Sequence, residues 1–324
     1  MTKKALIIGI NGQDGSYLAE LLISKNYIVY GTVRKEAFEN YQNRLSNIHQ
    51  ISDKIKLYQA SFDDHIKIFN IIKEIMPDEC YHLASSSFVT YNFDSELKNI
   101  NSNFFFINTL LSSIAKLKPD CKVYFAGSSE MFGCVNYSPQ NESTPFNPRS
   151  IYGISKVSDY YFIKNYRNVK KLFISCGISY NHESPRRHPK FVSKKITSTV
   201  AKIYLGLENK IELGNIEAKR DWGYAPDYVV AMHSMLQKDN PDDFILATGS
   251  LNRVKDFLEI AFRVVNLDYQ KYLKINHDFY RPNEIIPLCG DAKKARNELN
   301  FKQTKSFDII VEEMVLNDIN ILKK

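Results

Sequence analysis

The chain reads as an α/β protein, a doubly wound parallel sheet followed by a smaller, mixed C-terminal lobe. Three observations predict this. Short β-rich runs alternate with helical patterns through the first half, a glycine-rich turn follows the first run, and beyond about residue 180 the spacing becomes irregular, with loops rich in Pro, Arg and Asn. "ALII" (5–8) is a buried strand, after which Leu18, Leu21 and Leu22 mark one face of a helix. Further strands are read at 27–33, 56–59, 80–84, 122–127 and 172–178, with helices near 64–75, 98–117 and 152–166. Later helices are read near 190–206, 226–237 and 254–265. Residues 1–180, with segments returning from later in the chain, make the first domain, and 181–324 make mainly the second.

A chain of 324 residues suits two domains, or one with a lobe attached. Hydrophobic residues at 44% and charged residues at 24% are ordinary for a globular protein. The net charge of +7 is spread along the chain without a nucleic-acid motif, so no nucleic-acid partner is expected. Cys80, Cys121, Cys134, Cys176 and Cys289 are an odd set with no CxxC; Cys80, Cys121 and Cys176 fall in or beside strand-like runs and read as buried free thiols. No 18-residue apolar stretch occurs and the N-terminal apolar run is too short for a signal peptide core. A cytoplasmic protein with no membrane contact is expected.

The turn "GINGQDG" sets Gly9, Gly12 and Gly15 between strand and helix, with Asn11, Gln13 and Asp14 among them. Glycine there lets a pyrophosphate approach the helix N-terminus, where the dipole favours negative charge. This predicts a Rossmann-type dinucleotide site. The second strand ends "YGTVRK", where Gly31 leaves room and Arg34 and Lys35 supply charge suited to a 2′-phosphate, so NADP is favoured. Alternatively Arg34 only stacks on the adenine and NAD binds as well.

"YGISK" is a YxxxK pair, placing Tyr152 and Lys156 on one helix face. An ammonium ~4 Å from the phenol is worth ~4 kcal/mol at an effective dielectric near 20, enough to draw the tyrosine towards neutrality as a base. Tyr160–Lys164 and Tyr166–Lys170 match the same spacing, but only Tyr152 begins its helix; the other two tyrosines read as core or helix-face residues. Ser128 and Glu130, in "AGSSEMFG", stand where the chain leaves the fifth strand, at the sheet edge where open α/β proteins bind ligands. Ser128 suits a hydrogen bond to a reacting hydroxyl; Glu130 suits a general base, or is a solvated loop residue. In "NHESPRRH", His182 and His188 are six apart and Pro185 interrupts any helix, so the spacing is wrong for metal binding.

With these residues in hand, the chain resembles the GDP-mannose 4,6-dehydratases, extended short-chain dehydrogenase/reductases. The stretches that carry the likeness are "GINGQDGSYLAELL", "NESTPFNPRSIYGISK", "NHESPRR", "FVSKKIT", "LGNIEAKRDWG" and "DFYRPNEI". The resemblance implies that Ser128, Glu130, Tyr152 and Lys156 are the catalytic set. It implies that His182 and Arg187 close over the cofactor, with Ser61, Phe62, Leu83, Ala84, Ser85 and Ser87 completing its site. Ser87, Ser128, Glu130, Asn181, Lys195, Arg220, Arg281 and Glu284 then fall at positions used for the GDP-sugar. "NHESPRRH" becomes the seam where cofactor meets sugar nucleotide, with arginines facing phosphates and Glu183 orienting them, or else a structural ion-pair loop.

The chemistry implied is internal redox. C4 is oxidised, the C5 hydrogen is removed by Glu130 as water departs from C6, and C6 is then reduced by the cofactor, which stays bound throughout. A homodimer or homotetramer is implied as well. Ser61-Phe62 stands where the family pattern has Asp-Leu, "LASSSFV" where it has "LAAQSHV", and His188-Pro189-Lys190 where Gly-Glu is expected. A GDP-heptose is therefore weighed beside GDP-mannose, and a C4 dehydrogenase or epimerase, or a non-catalytic nucleotide sensor, beside the dehydratase.

Overall fold

A computed structural model describes residues 2–39, 45–61, 64–85, 93–280 and 287–323. Seven parallel strands form the main sheet: β1 (Lys4–Ile8), β2 (Ile28–Val33), β3 (Ile55–Gln59), β4 (Glu79–His82), β5 (Lys122–Ser128), β6 (Ile174–Ser179) and, from much later in the chain, β10 (Asp243–Leu246). Their spatial order is β3-β2-β1-β4-β5-β6-β10. The order reverses between β1 and β4, and the crevice above their carboxyl ends is where such sheets bind ligands.

The runs form central strands because both faces are covered. Ala5, Leu6, Ile7 and Ile8 are all buried, as are Cys80 and Tyr81 in β4. Helices α1 (Gln13–Ser24), α2 (His65–Ile75), α3 (Phe93–Leu117) and α4 (Ile151–Val169) cross between strands, and α4 begins cleanly because the Ser150 hydroxyl accepts from the Gly153 N–H at 3.0 Å. Cys80, Cys121 and Cys176 are buried free thiols.

A second hydrophobic core belongs to the lobe. It is built by α5 (Val192–Tyr204), α7 (Val254–Val264) and α9 (Phe307–Leu322), with Trp222 stacked on Phe307. Small sheets brace it: β7 (Asn181–Glu183), β9 (Lys219–Tyr224) and β11 (Leu251–Arg253) form one, β8 (Ile211–Leu213) and β12 (Leu273–Ile275) another. Helices α6 (Ala225–Leu236) and α8 (Lys293–Leu299) return to the first core, as do Phe244–Ala247 of and beside β10. No helix among the described residues is long and apolar enough to cross a membrane.

Candidate active site

A cleft enclosing about 1180 Å³, open to solvent, runs between the carboxyl edge of the sheet and the lobe. Asp14, Leu83, Ser85, Ser128, Glu130, Tyr152, Lys156, Asn181, His182, Arg187 and Arg220 line it, bringing together residues from all parts of the chain. Phe62, Ser87, Arg281 and Glu284 lie outside the described residues.

The glycine turn adjoins the cleft through Asp14. A side chain at Gly15 would place its Cβ 2.3 Å from the Gly9 carbonyl oxygen, so only glycine lets α1 rise this close to the turn. At Gly12 a Cβ would meet nothing nearer than that same oxygen, at 3.3 Å. Gly12 caps α1 with no side-chain hydrogen bond, leaving the first N–H groups of the helix without a capping acceptor. An anionic diphosphate fits that open N-terminus. Arg34 is exposed just beyond β2, and Ser61 follows β3, both past the carboxyl ends of their strands. Asn11 accepts through its carbonyl from the Asn47 amide at 3.1 Å. Ala84 packs on the turn, within 2.9 Å of a Cβ built at Gly9.

"NHESPRRH" resolves into two functions. Arg186 turns away from the cleft to α1, donating to Glu20 at 2.6 Å and Ser16 at 3.1 Å, with its guanidinium 4.0 Å from the Tyr17 ring centroid. Gln13 is buried and does the same from the other side, donating to the His182 carbonyl at 3.0 Å and accepting from the Ser184 hydroxyl at 2.8 Å. His182 Nε2 lies 2.9 Å from the Asp14 carboxylate, and its Nδ1 lies 2.7 Å from the Tyr180 carbonyl. Arg187 instead lines the cleft, paired with the buried Glu183 at 3.1 Å and laid over the Phe191 ring at 3.7 Å. So Arg186 is a structural bolt, and Arg187 is the guanidinium held where an anion would sit. His188 plays no part in a metal cluster; among the described residues no three His, Cys, Asp or Glu side chains gather as one.

At the centre, Ser128 ends β5 in register with Ser179 of β6, and its hydroxyl accepts from the Glu130 N–H at 3.3 Å. The first turn of α4 presses on this loop, since a Cβ at Gly153 would lie 2.5 Å from the Glu130 carbonyl oxygen. That contact brings Tyr152 beside Ser128 and Glu130. Lys156 is 2% exposed and donates to the Ala126 carbonyl at 2.9 Å. The expected lowering of the Tyr152 pKa is not what this structure shows. Burial pushes the phenol up to about 12; the Ser128 hydroxyl and Arg187 oppose that rise, and Glu130 and Asp159 add to it. The Lys156 ammonium, which donates to the Ala126 carbonyl, does not offset that rise. Desolvation therefore outweighs the one-face argument.

The tyrosines set aside are structural. Tyr160 donates to Asp243 at 2.7 Å, where Arg167 also binds at 2.5 Å, and Tyr166 donates to Asn108 at 3.2 Å. On the lobe side Arg220 reaches the cleft from β9, whereas Lys195 sits off it on α5, its amine 4.1 Å from the Phe279 ring centroid. Ser179, Tyr180, Phe191 and Trp222 also line the cleft and were not foreseen. Ser179 was findable by the strand-end rule that picks out Ser128; the others depend on how the lobe folds back.

Residues 6–314 match the family model described as GDP-mannose 4,6 dehydratase. The chain belongs to that dehydratase family. It is 40% identical over 333 residues to "GDP-mannose 4,6 dehydratase 1" of Arabidopsis thaliana, an alignment covering 99% of this chain and 91% of the relative. Among solved structures, UDP-glucose 4-epimerase of Thermotoga maritima with UDP-glucose superposes with a TM-score of 0.86 at 21% identity, covering 98% of this chain and 99% of the other. RMD of Pseudomonas aeruginosa complexed with NADPH gives 0.81 at 16% identity, with 99% of each chain covered. These two likenesses establish the fold. For the dehydratase family member described here, the 40% relative carries the functional weight.

Proposed function

We propose that the chain is a GDP-sugar 4,6-dehydratase that converts GDP-mannose to its 4-keto-6-deoxy derivative with loss of one water. The observation that carries this reading is the meeting of Ser128, Glu130, Tyr152 and Lys156 in a single cleft, with Asn181, Arg187 and Arg220 on its lobe side. Its relatives over nearly the full length bear that activity in their names.

Gly9, Gly12, Gly15 and the uncapped start of α1 would hold the diphosphate of a nicotinamide dinucleotide, with Arg34 at the 2′-phosphate of NADP. That group, when bound, supplies an electron-pair acceptor at C4 which is restored when C6 is reduced. Tyr152 takes the C4 hydroxyl proton once ionised, and Ser128 orients that hydroxyl. The new ketone acidifies the C5 hydrogen, Glu130 removes it, and the same carboxyl protonates the departing C6 hydroxyl. Arg187 and Arg220 are suited to neutralise phosphate charge by bidentate contact. Lys195, held over Phe279, would sit further out along the nucleotide. We place the reaction in the cytoplasm. We also propose a homo-oligomer, supported by the exposed Phe105, Ile154 and Tyr161 on α3 and α4.

Incubating the purified protein with GDP-mannose and weighing the product tests the reading. Loss of the mass of one water is expected. Loss of two hydrogens with reduced cofactor accumulating, or an unchanged mass, overturns it.

A further inference from the structure

Asp159 lies on α4 three residues beyond Lys156 and is 1% exposed. Neither of its carboxylate oxygens has a hydrogen-bond partner. Buried carboxylates are nearly always bonded, because losing hydration with nothing in return is costly. Lys156 has the complementary problem. Its ammonium carries three donors; one goes to the Ala126 carbonyl at 2.9 Å, and the Phe125 ring centroid lies 4.8 Å from its nitrogen. Residues three apart share a helix face, so the orphaned anion and the under-satisfied cation look into the same interior.

The neighbours leave that pairing uncontested. His82 of β4 is buried with Nδ1 unpartnered, and burial together with the Lys156 charge pushes its imidazole down to about 3, so it is neutral. Burial pushes the Cys176 thiol of β6 well up, so it too is uncharged. The side chains of α3 from Phe105 to Ala115 include no charged group. Glu130 and Arg187 bear on Tyr152. Burial pushes the Asp159 carboxyl up to about 6, against the pull of Lys156; it pushes the Lys156 amine down, against the pull of Asp159.

We propose that Asp159 is a positioning residue for the Tyr152–Lys156 pair: its unpaired carboxylate is the counter-charge that keeps the buried Lys156 amine protonated beneath the phenol. Only the catalytic consequence rests on the function proposed above. Asp159 touches no reacting atom; it acts chiefly through Lys156, and its own charge also bears on the Tyr152 phenol. Without its charge the amine loses its proton at lower pH, so the alkaline limb of the rate profile moves down. In acid, near and below pH 6, Asp159 itself takes a proton and the difference between wild type and variant closes.

The test is a ¹³C NMR titration of the lysine side chains in the full chain without substrate, with the Lys156 signal assigned from Lys156→Met. In Asp159→Asn the Lys156 midpoint should fall by about one pH unit, and Asp159→Glu should hold it near the wild-type value. An unchanged midpoint in folded Asp159→Asn, or in Asp159→Ser if the amide variant does not fold, overturns the inference. The pH profile of kcat/KM is then measured for the same variants. A moved midpoint with an unmoved profile leaves the counter-charge in place and sinks instead the catalytic assignment of Tyr152 and Lys156.

Discussion

His182 and Asp14 meet at 2.9 Å across the boundary between the glycine turn and the lobe. Burial works against the charge on each, yet their mutual attraction and hydrogen bond leave the imidazole pKa raised and the carboxyl pKa lowered. Asp14 thus stabilises the fold above the ordinary carboxylate range and loses that contribution as pH falls through its lowered value. The His182 contribution is complete below its unfolded pKa, about 6.5, and is lost as pH rises through its raised one. The link is strongest in mild acid. Melting temperature should fall between pH 6 and pH 9 in the wild type, and His182→Asn should flatten that slope; equal slopes would separate the pair from stability.

Gly12 and Gly15 should respond oppositely to one added methyl. Gly15→Ala drives a Cβ to 2.3 Å from the Gly9 carbonyl oxygen and 2.7 Å from the Ile10 Cα, and should cost about 3 kcal/mol in urea unfolding. Gly12→Ala brings its methyl only to 3.3 Å from that same oxygen and should cost about 1 kcal/mol while weakening dinucleotide binding. Calorimetric titration with NADPH separates the two effects.

Tyr152→Phe should lower kcat by about 1000-fold with little change in melting temperature. Tyr160→Phe should do the reverse, keeping turnover while losing about 1 kcal/mol from the Asp243 hydrogen bond. Full activity in Tyr152→Phe would remove the base assigned here.

Glu130→Gln should stop water loss but leave C4 oxidation, visible as reduced cofactor absorbing in the near ultraviolet. Exchange of the C5 hydrogen with deuterated solvent should disappear with it. Persistent exchange would mean another group removes that proton.

Arg34→Ala should weaken NADPH binding by about tenfold to a hundredfold, the worth of a charge-assisted bond, and leave NADH binding nearly unchanged. A parallel loss for both cofactors would favour stacking on the adenine.

The sequence made β1 to β6 legible because each is a short run of apolar or aromatic residues set between helical patterns, and the strand-end placement of Ser128 and Glu130 followed from them. Strand β10 was missed: "DFIL" is four residues after a Pro-Asp-Asp turn, and only its pairing with β6 makes it a sheet member. Helix α9 was not foreseen, and Asn317, Asp318 and Asn320 are weak helix formers within its last turns. Asp318 is tolerated in the helix since, although buried, it accepts from both Lys194 and Thr197. Arg186 and Arg187 are alike in sequence, and packing alone sends one to α1 and the other to the cleft. Asp159 was not singled out in the sequence; its interior position, 1% exposed, appears only once α4 is packed against the sheet.

Gln13, Asp14, Ser16 and Glu20, all on one helix, are each gripped by residues 182–186. Asp14 and His182 of this clasp line the cleft, as does Arg220 of the lobe. A dinucleotide held on the glycine turn under this clasp would leave only when several bonds part together, whereas a sugar nucleotide bound on the lobe side would not need them to part. Residence times for the two ligands should accordingly differ by orders of magnitude, with the deeper one travelling with the protein through purification.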